Sequence, residues 1–224
     1  VRVDKLDRLM DLVGELVIAE SMVTQNPDLA GLELSNFAKA ARQLHKLNEE
    51  LQDGVMSLRM VPIGGTFKKM NRIVRDMTKN LGKKARLVLV GEDTEVDKNI
   101  AEHIGDPLMH IVRNSMDHGI ELPEERKAAG KPEQGTITLA AQNEGGEVVI
   151  TIRDDGGGMN REKIMEKARE KGLLTKPEDD YTDQEVFGFI FAPGFSTNDE
   201  VTEYSGRGVG MDVVVSNIRG LGGS

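Results

Sequence analysis

Residues 107–121 read Pro-Leu-Met-His-Ile-Val-Arg-Asn-Ser-Met-Asp-His-Gly-Ile-Glu, and no other part of the sequence is as informative about fold and function. Asp106 and the proline after it predict the start of a helix, because aspartate caps helices and proline is favoured in their first turn. If this helix continues, His110, Asn114 and His118 follow one another at four-residue steps and lie on one side of it. We therefore expect a polar ridge on a helix whose other sides are apolar.

The ridge formed by His110, Asn114 and His118 allows more than one interpretation. Two imidazoles and an amide could serve a triphosphate with an oxygen-preferring cation. A zinc site fits less well, because the sequence has no thiolate and the histidines do not have the four-residue spacing of a zinc-binding helix. Taken alone, the pattern is explained more simply by a solvated polar face, which is the usual exterior of a surface helix.

Two glycine-rich segments follow in the second half of the chain. Asp154-Asp-Gly-Gly-Gly158 comes directly after a predicted strand, where glycines let the backbone approach a flat ligand and Asp154 can accept a hydrogen bond from an exocyclic amine. A plain turn or calcium-binding aspartates remain alternatives. Gly206-Arg-Gly-Val-Gly210 opens a predicted helix whose N-terminus favours phosphate. Its spacing matches neither the dinucleotide fingerprint nor the P-loop.

Four of the six phenylalanines of the chain lie in residues 187–195. Such a cluster belongs to a hydrophobic core more often than to a stacking site for a ligand. A packed aromatic anchor beside the polar residues 196–205 is also typical of a lid that orders over a ligand.

Composition excludes several classes of protein. The sequence has no cysteine, so disulfides and thiolate metal sites are excluded and an oxidising compartment is not indicated. A formal net charge of −9 disfavours general binding to nucleic acid or anionic lipid. No apolar run approaches the roughly 20 residues of a membrane helix. We expect a cytoplasmic protein that neither binds nucleic acid nor inserts into membranes.

Residues 1–58 predict an antiparallel helical hairpin. Apolar residues recur at three- and four-residue steps up to residue 24, and Pro27 interrupts the pattern. Leucines and a phenylalanine then recur every seven residues from Phe37 to Leu58, which is a coiled-coil period. Because a lone hairpin leaves its stripes exposed, we expect a homodimer through residues 1–58 that forms a four-helix bundle. Packing of the stripes on the rest of the chain is the alternative.

The remaining chain predicts a mixed helix and strand domain. Residues 59–66 contain a proline and two glycines and are interpreted as a hinge, and residues 67–224 form the second domain. The predicted elements of that domain are a basic helix at 67–81, strands at 85–90, 136–142 and 147–153, and a helix at 211–218. The expected fold class is therefore α+β, with a helical hairpin followed by a two-layer α/β sandwich.

Taken in order, these motifs resemble the ATP-binding fold of the GHKL (Bergerat) type, which is shared by histidine kinases, Hsp90, DNA gyrase and MutL. The segments His110–Glu121, Phe-Ala-Pro-Gly-Phe-Ser-Thr197 and Ser-Gly-Arg-Gly-Val-Gly-Met-Asp212 are similar to the bacterial chemotaxis histidine kinases of the CheA family. Val13-Gly-Glu-Leu16 in the hairpin is similar to that family as well. The resemblance covers nearly the whole chain.

The resemblance implies that the chain binds ATP and Mg²⁺. It implies that Asn114 ligates Mg²⁺, that His110 and His118 contact the metal or the phosphates, and that Asp154 receives the adenine amino group. These catalytic and metal-binding roles are expectations for His110, Asn114 and His118. The other implied nucleotide contacts are Gly156, Gly158, Lys163, Lys167, Thr197, Gly206, Arg207, Gly208 and Gly210.

His110 distinguishes two kinds of reaction within the resemblance. In the gyrase and Hsp90 branch, a glutamate that activates water stands at this place, whereas this chain has a histidine. The resemblance therefore implies a protein-histidine kinase that transfers the γ-phosphoryl group of ATP to an imidazole in two-component signalling. An ATPase that uses water, and a nucleotide-free scaffold for dimerisation and array assembly, are the alternatives.

The resemblance also implies parts and partners that this chain does not contain. We expect a piece of a longer protein, without its histidine phosphotransfer domain, its response-regulator docking domain and its C-terminal domain for chemoreceptors and a coupling adaptor protein. At least one C-terminal strand of the catalytic fold is also expected to be missing. The implied acceptor is the phosphotransfer domain of the same protein, acting in trans, so this chain alone should not phosphorylate itself. The implied location is the cytoplasm, with recruitment to membrane chemoreceptor arrays.

Overall fold

The computed structural model describes residues 3–32, 34–195 and 210–224, and it divides the chain into two compact units, Val1–Val61 and Pro62–Ser224. The two units differ in architecture. The first consists of two long helices, and the second of a small sheet covered by helices. Within the described residues, no helix combines the length and the apolar character that crossing a membrane requires.

The first unit is the predicted helical hairpin. Helix α1 (Val3–Thr24) and helix α2 (Ser35–Ser57) pack on each other. A short 3₁₀ turn, Pro27–Leu29, interrupts the chain between them, where the side chain of Asn26 accepts a hydrogen bond from the N–H of Asp28. The residue pairs in contact run in opposite directions along the two helices, which confirms the antiparallel arrangement.

A buried carboxylate joins the two helices. Glu20 on α1 is 7 % exposed, and it accepts a hydrogen bond from Nδ2 of Asn48 on α2 at 2.6 Å. Nδ1 of His45 lies 3.1 Å from the other carboxylate oxygen. These contacts matter because burying a carboxylate without hydrogen bonds lowers the free energy of unfolding by on the order of several kcal/mol.

The hairpin leaves two rows of large apolar side chains in solvent. One row lies on α1 and the other on α2, and each follows the three- and four-residue steps of a helical stripe. The exposed side chains are Leu9, Leu12, Leu16 and Val23 on α1 and Leu44, Leu47, Leu51 and Leu58 at α2. Two helices alone cannot bury both stripes, so this surface is suited to a second pair of helices.

The second unit contains the sheet and most of the helices. Its strands, together with the one at the division between the units, are β1 (Met60–Pro62), β2 (Ala85–Val90), β3 (Glu95–Asp97), β4 (Gly135–Glu144) and β5 (Glu147–Asp154). The helices are α3 (Gly64–Leu81), α4 (Lys98–His103), α5 (Gly105–Asn114), α6 (Pro123–Ala128), α7 (Arg161–Glu170), α8 (Asp183–Gly188) and α9 (Met211–Gly220).

The main sheet has three strands in the order β2-β4-β5, with β2 parallel to β4 and β4 antiparallel to β5, and the short strands β1 and β3 are not part of it. Gly145 and Gly146 join β4 to β5 with φ angles of 60° and 90°. A two-residue hairpin turn of this kind requires positive φ at both positions, which glycine adopts without strain. The strands predicted at 136–142 and 147–153 are confirmed and form a hairpin, which places Asp154 at the end of β5, opposite Ile137 of β4.

One hydrophobic core holds α3 and α5 against the sheet. The helices contribute side chains at three- and four-residue steps, and β4 contributes alternate residues, as the two periods require. Fully or nearly fully buried members are Ile63, Phe67, Met70 and Val74 around α3, Leu108, Val112 and Met116 around α5, and Ile137, Leu139 and Ala141 on β4. The predicted two-layer α/β arrangement is therefore present.

Two helix starts differ from the predictions. Helix α3 begins at Gly64 instead of residue 67, because the N–H of Gly64 donates to the carbonyl of Glu92 and thereby fixes this segment. The interpretation of residues 59–66 as a hinge stays a prediction. Helix α5 begins at Gly105, with Ile104 at its N-cap position and no side-chain cap. The predicted capping role of Asp106 is wrong. Helix α4 ends at His103, only two residues before α5 begins, and Asp106 therefore lies within the first turn of α5.

We expect Gly91→Ala to destabilise the second unit more strongly than Gly130→Ala. Both glycines have positive φ, +70° and +73°, which costs another residue roughly 1–2 kcal/mol. A Cβ at Gly91 would also lie 1.9 Å from the carbonyl oxygen of Ala141, whereas a Cβ at Gly130 meets nothing within 4 Å. The overlap should add at least about 2 kcal/mol to the loss in unfolding free energy. Urea unfolding followed by circular dichroism measures both variants, and equal losses would contradict the expectation.

Candidate functional site

The end of α5 is the centre of the site. The helix ends at Asn114, and Ser115–Gly119 form a π-helical turn in which the N–H of Ile120 donates to the carbonyl of Ser115 at 2.7 Å. Such a turn spans one residue more than an α-helical turn and is frequent at functional sites. The predicted α-helical continuation to His118 is therefore wrong, because His118 lies in the π-helical turn and does not keep the α-helical four-residue step from Asn114. His118 is exposed, whereas the other two side chains are half-buried.

Asp154 lies against this π-helical turn. A Cβ at Gly119 would be 2.9 Å and 3.0 Å from the two carboxylate oxygens of Asp154, so the carboxylate rests on the backbone of that glycine. The N–H of Gly157 donates to the carbonyl of Gly119 at 2.9 Å. The turn after α5 and the turn after β5 are thus in direct contact, and Asp154 is brought next to the segment that contains His118.

The glycines after Asp154 have separate structural reasons. A Cβ at Gly156 would lie 2.0 Å from the carbonyl oxygen of Gly119, so no side chain fits there. The N–H of Gly156 donates to Oδ1 of Asp154 at 3.1 Å. Gly158 has a φ of +75°, a conformation that other residues rarely adopt. Both glycines that the sequence indicated therefore shape the turn around Asp154.

Asn114 lies close to the start of α9. Its Nδ2 donates to Sδ of Met211 at 3.0 Å, and Gly210 occupies the N-cap position of the helix that Met211 begins. The N-terminal end of α9 is thus next to the end of α5. Gly210 is the one member of the predicted phosphate loop that lies among the described residues. Thr197, Gly206, Arg207 and Gly208 lie outside them.

The two predicted lysines lie on α7. Asn160 caps this helix by accepting a hydrogen bond from the N–H of Lys163 at 2.9 Å, and the side chain of Lys163 is exposed. Nζ of Lys167 lies 5.5 Å from the ring centroid of Phe195, which is within the range of a cation–π contact. Phe195 is 4 % exposed and Phe189 packs on the small core around Val186, whereas Phe191 is 45 % exposed, so the phenylalanine cluster contributes to a core in part. The contact of either lysine with phosphate stays a prediction.

His110 has a perturbed protonation equilibrium. Burial of the imidazole lowers the pKa of His110 below its ordinary value, and the nearby charge of Arg113 lowers it further. Both effects disfavour the imidazolium. His110 is therefore neutral near pH 7, with one ring nitrogen able to accept a hydrogen bond or a ligand.

The donor atoms of the site suit a magnesium ion that is also held by a ligand. In the described part of the chain, no group of three or more His, Cys, Asp or Glu side chains could hold a metal ion by itself. Mg²⁺ usually takes one or two protein ligands and completes its shell with phosphate oxygens and water. The amide oxygen of Asn114 is a suitable hard ligand, and the imidazole of His110 is a less suitable one.

Lys83 supports the π-helical turn, and the sequence did not indicate it. Its Nζ donates to the carbonyls of Met116 and Asp117 at 2.8 Å and 2.7 Å. Carbonyls at the end of a helix lack partners within the helix, so this lysine satisfies two of them. Burial lowers the pKa of Lys83, and the charges of Asp117, Glu125 and Glu121 oppose the shift. A lysine one residue after the glycine that ends α3 is the only local signal in the sequence.

A second group of charged residues lies behind the turn after β5. Arg126 on α6 is fully buried and forms ion pairs with Glu121 and Asp155 at 2.8 Å and 3.1 Å. Lys131 pairs with Glu121 at 2.7 Å. Sequence reasoning missed these residues, since the partners come from three separate segments and share no spacing. Glu121, at the end of residues 107–121, was the one signal in the sequence for this group, because a carboxylate beside an apolar helix needs a cation.

Two family models match this chain. Residues 1–58 match the homodimeric domain of signal-transducing histidine kinases, and residues 103–224 match the histidine kinase-, DNA gyrase B- and HSP90-like ATPases.

Three curated relatives, all named chemotaxis protein CheA, align with 100% of this chain. The relative from Salmonella typhimurium is 48% identical over 33% of its own length, and the one from Klebsiella aerogenes is 49% identical over 34%. The relative from Bacillus subtilis is 43% identical over 33% of its length. The chain therefore spans about a third of the length of the curated relatives it matches.

Among solved structures, the histidine kinase domain of the EL346 blue-light activated histidine kinase from Erythrobacter litoralis is 17% identical. The alignment covers 99% of this chain and 85% of that one, with a TM-score of 0.36.

We expect His110 to titrate below the ordinary histidine value of 6.5. Replacing the neighbouring cation in Arg113→Gln should raise the midpoint, although burial keeps it low. Because the unfolded chain binds this proton more readily, the contribution of His110 to unfolding free energy falls as pH decreases below about 6.5. NMR titration of the imidazole measures the midpoint, with Arg169→Gln on α7 as the control. A midpoint at or above 6.5 in the folded wild type would contradict the expectation.

Proposed function

Since this chain belongs to the family of histidine kinase-, DNA gyrase B- and HSP90-like ATPases, we propose that it is the dimerisation and ATP-binding part of a chemotaxis histidine kinase. In this proposal, the γ-phosphoryl group of ATP passes to a histidine on a separate phosphotransfer domain. The similarity to chemotaxis proteins over the full length of the chain supports the biological context. Because the chain spans about a third of those relatives, the activity of the whole protein is part of the proposal.

One observation carries the proposal. Three segments that are far apart in sequence meet at the end of α5. Gly119 contacts Asp154 and the turn after β5, and Asn114 contacts Met211 at the start of α9. An acceptor for an amine, an amide that can ligate a cation and a helix N-terminus thus surround one helix end, and these are the groups that a nucleotide requires.

We assign the nucleotide contacts accordingly. Asp154 accepts a hydrogen bond from the adenine amino group, and Gly156 and Gly158 allow the base to approach the backbone. His110 and His118 contact phosphate or metal. The N-terminus of α9 at Gly210 favours phosphate because its N–H groups and the helix dipole attract anions. The other proposed phosphate contacts are Lys163, Lys167, Thr197, Gly206, Arg207 and Gly208.

Mg²⁺ belongs to the proposed substrate complex. Asn114 would hold it through the amide oxygen, and the ion neutralises charge on the phosphates that it contacts. Local cations are required because the chain has a net charge of −9 and the nucleotide is an anion. The repulsion from distant carboxylates is weak, since charges are screened over about 8 Å at physiological salt. Lys163 and Lys167 on α7 are therefore proposed to supply local positive charge for phosphate binding.

His110 favours phosphoryl transfer over hydrolysis. The resemblance places a water-activating glutamate at this position in the hydrolytic branch, and this chain has a neutral, half-buried imidazole there. The proposed role of the chain is to position the γ-phosphate and to stabilise its charge in line with the acceptor nitrogen. The acceptor imidazole needs little activation, because a neutral histidine nitrogen has a free lone pair.

We further propose that residues 1–58 form a homodimer as a four-helix bundle. The match to the homodimeric domain of histidine kinases and the two exposed apolar rows of the hairpin support this. The phosphotransfer domain acts in trans within this dimer. Chemoreceptors, a coupling adaptor protein and response regulators are proposed partners of the longer protein, through parts outside this chain. The proposed location is the cytoplasm at chemoreceptor arrays, without direct membrane insertion or nucleic-acid binding.

Calorimetry with a non-hydrolysable ATP analogue and Mg²⁺ tests nucleotide binding. Asp154→Asn and Asn114→Ala should each weaken the affinity about 10- to 100-fold, because a hydrogen bond to a charged group contributes roughly 1.5–3 kcal/mol. Asp93→Asn, an exposed aspartate in another turn of the same unit, is the matched control and should leave the affinity unchanged. Wild-type affinity in Asp154→Asn would remove adenine recognition from that residue.

The reaction itself is tested with a separately produced phosphotransfer domain of the longer protein and labelled ATP. Acid-labile label should appear on that domain and not on this chain. Steady phosphate release without an acceptor domain, increased further by His110→Glu, would instead support the hydrolytic alternative. Absence of any nucleotide binding would leave only the scaffold interpretation.

Light scattering on the chain tests the dimer. Leu16→Glu or Leu47→Glu places a charge in one of the exposed apolar rows, where the wild-type side chains are 41% and 54% exposed. Burying a charge at an interface costs several kcal/mol, so the dissociation constant should rise at least about 100-fold. Gln52→Glu adds the same charge at an exposed polar position of α2 and should remain a dimer. A wild-type monomer at tens of micromolar would be incompatible with the proposal.

A further inference from the structure

Arg126 occupies an unusual environment for an arginine. It is 0% exposed, and its Nε donates to the carbonyl of Pro132 at 2.7 Å. Nη1 donates to Oε2 of Glu121 at 2.8 Å and to the carbonyl of Asp155 at 3.2 Å. Nη2 donates to Oδ2 of Asp155 at 3.1 Å. The planar guanidinium thus connects the segment after α5, the loop after α6 and the turn after β5.

Lys131 reinforces the same connection. Its Nζ donates to Oε1 of Glu121 at 2.7 Å, to the carbonyl of Asp155 at 3.2 Å and to the carbonyl of Gly156 at 2.9 Å. Both oxygens of Glu121 therefore accept from a cation. Burial alone would raise the pKa of Glu121, but its hydrogen bonds to Lys131 and Arg126 hold the pKa below the ordinary value. The carboxylate stays charged at neutral pH.

Strand β4 holds the opposite side of the turn. The N–H of Thr136 donates to Oδ1 of Asp155 at 2.8 Å, and the N–H of Asp155 donates to the carbonyl of Thr136 at 3.1 Å. Asp155 is thus held through its N–H, its carbonyl and both carboxylate oxygens. The residue directly before it, Asp154, is the one whose carboxylate rests on Gly119.

The charges in this group of ion-paired residues balance, which indicates a structural role. Two cations, Arg126 and Lys131, face two carboxylates, Glu121 and Asp155, so the group leaves no excess charge to attract an ion of its own. Ion pairs around a buried charge such as that of Arg126 often add little net stability compared with apolar side chains, because desolvation offsets the attraction. Their directed hydrogen bonds instead fix geometry, and the geometry fixed here is that of the turn that carries Asp154.

We infer that Arg126, acting with Glu121 and Asp155, is a positioning residue that fixes the carboxylate of Asp154 for recognition of the adenine amino group. The inference rests on the proposed function. Without the clamp formed by these three residues, the turn after β5 can rotate, and the carboxylate leaves the place where the base presents its N–H. A hydrogen bond weakens steeply once its angle or length departs from the favoured range, so a small rotation is sufficient.

The test is a double-mutant cycle between the clamp and Asp154. Glu121→Gln keeps the shape of the side chain and removes its charge, and it is combined with Asp154→Asn. Calorimetry with the non-hydrolysable ATP analogue and Mg²⁺ should show an affinity loss of about 3- to 30-fold for Glu121→Gln alone. The double variant should lose much less than the product of the two single losses, because Asp154 is already displaced.

Glu133→Gln is the matched control. Glu133 also accepts from two cations, Lys84 and Lys127, each at 2.6 Å, but this pair of contacts lies at the surface. The control should leave the affinity for the analogue unchanged and should combine multiplicatively with Asp154→Asn. Arg126→Lys keeps the charge and cannot reproduce the forked contacts, so it should lose affinity as Glu121→Gln does.

The outcomes separate the inference from the proposed function. If Asp154→Asn weakens binding and Glu121→Gln does not, or if their losses simply multiply, the inference is wrong while the proposed function stands. If wild type does not bind the analogue, the proposed function is wrong and the inference with it. If the analogue binds and Asp154→Asn has no effect, the proposed role of Asp154 is wrong and the inference with it. Asp155→Asn, whose side chain is 45% exposed, loosens the same clamp and replaces Glu121→Gln if that variant does not fold.

Discussion

The carbonyl of Gly119 accepts a hydrogen bond from the N–H of Gly157, and the rest of the site depends on this approach of two backbone turns. The approach requires that two positions lack side chains, because a Cβ at Gly119 would press on the carboxylate of Asp154 and a Cβ at Gly156 would overlap the carbonyl of Gly119. Packing of backbone on backbone leaves little freedom for adjustment. The relative placement of the two turns is therefore set by main-chain atoms.

The sheet and the helices give this contact a firm support. Asp154 ends a strand that pairs over its whole length with β4, and β4 in turn pairs with β2 in parallel register. Helix α5 is held by the core beneath it, and Lys83 fixes the carbonyls at the end of the π-helical turn. The side chains with proposed chemical roles thus lie at the ends of regular elements, where a rigid scaffold presents them.

Local patterns in the sequence predicted the helical hairpin and the strand boundaries near Asp154, because periodicity and turn residues act over short distances. The meeting of the separate motifs was expected only from the family resemblance. Local patterns did not predict the π-helical turn, since nothing in residues 115–119 distinguishes it from a regular helix. Arg126 and Lys131 were missed for a different reason. Their importance comes from partners in other segments, and burial of an arginine depends on the tertiary fold. The expected capping by Asp106 failed because α4 runs almost directly into α5.

The carboxylate buried in the hairpin has a consequence for how its two helices can slide. Apolar side chains that recur at three- and four-residue steps are nearly equivalent to one another, so an all-hydrocarbon hairpin would tolerate a displacement by about one helical turn. Glu20 does not tolerate it, because a shift of about 6 Å along α2, four residues at roughly 1.5 Å each, carries Asn48 out of reach. The carboxylate would then face hydrocarbon with no amide to satisfy it. The pair of Glu20 and Asn48 thus selects one alignment of α1 and α2 from several that apolar side chains alone would allow.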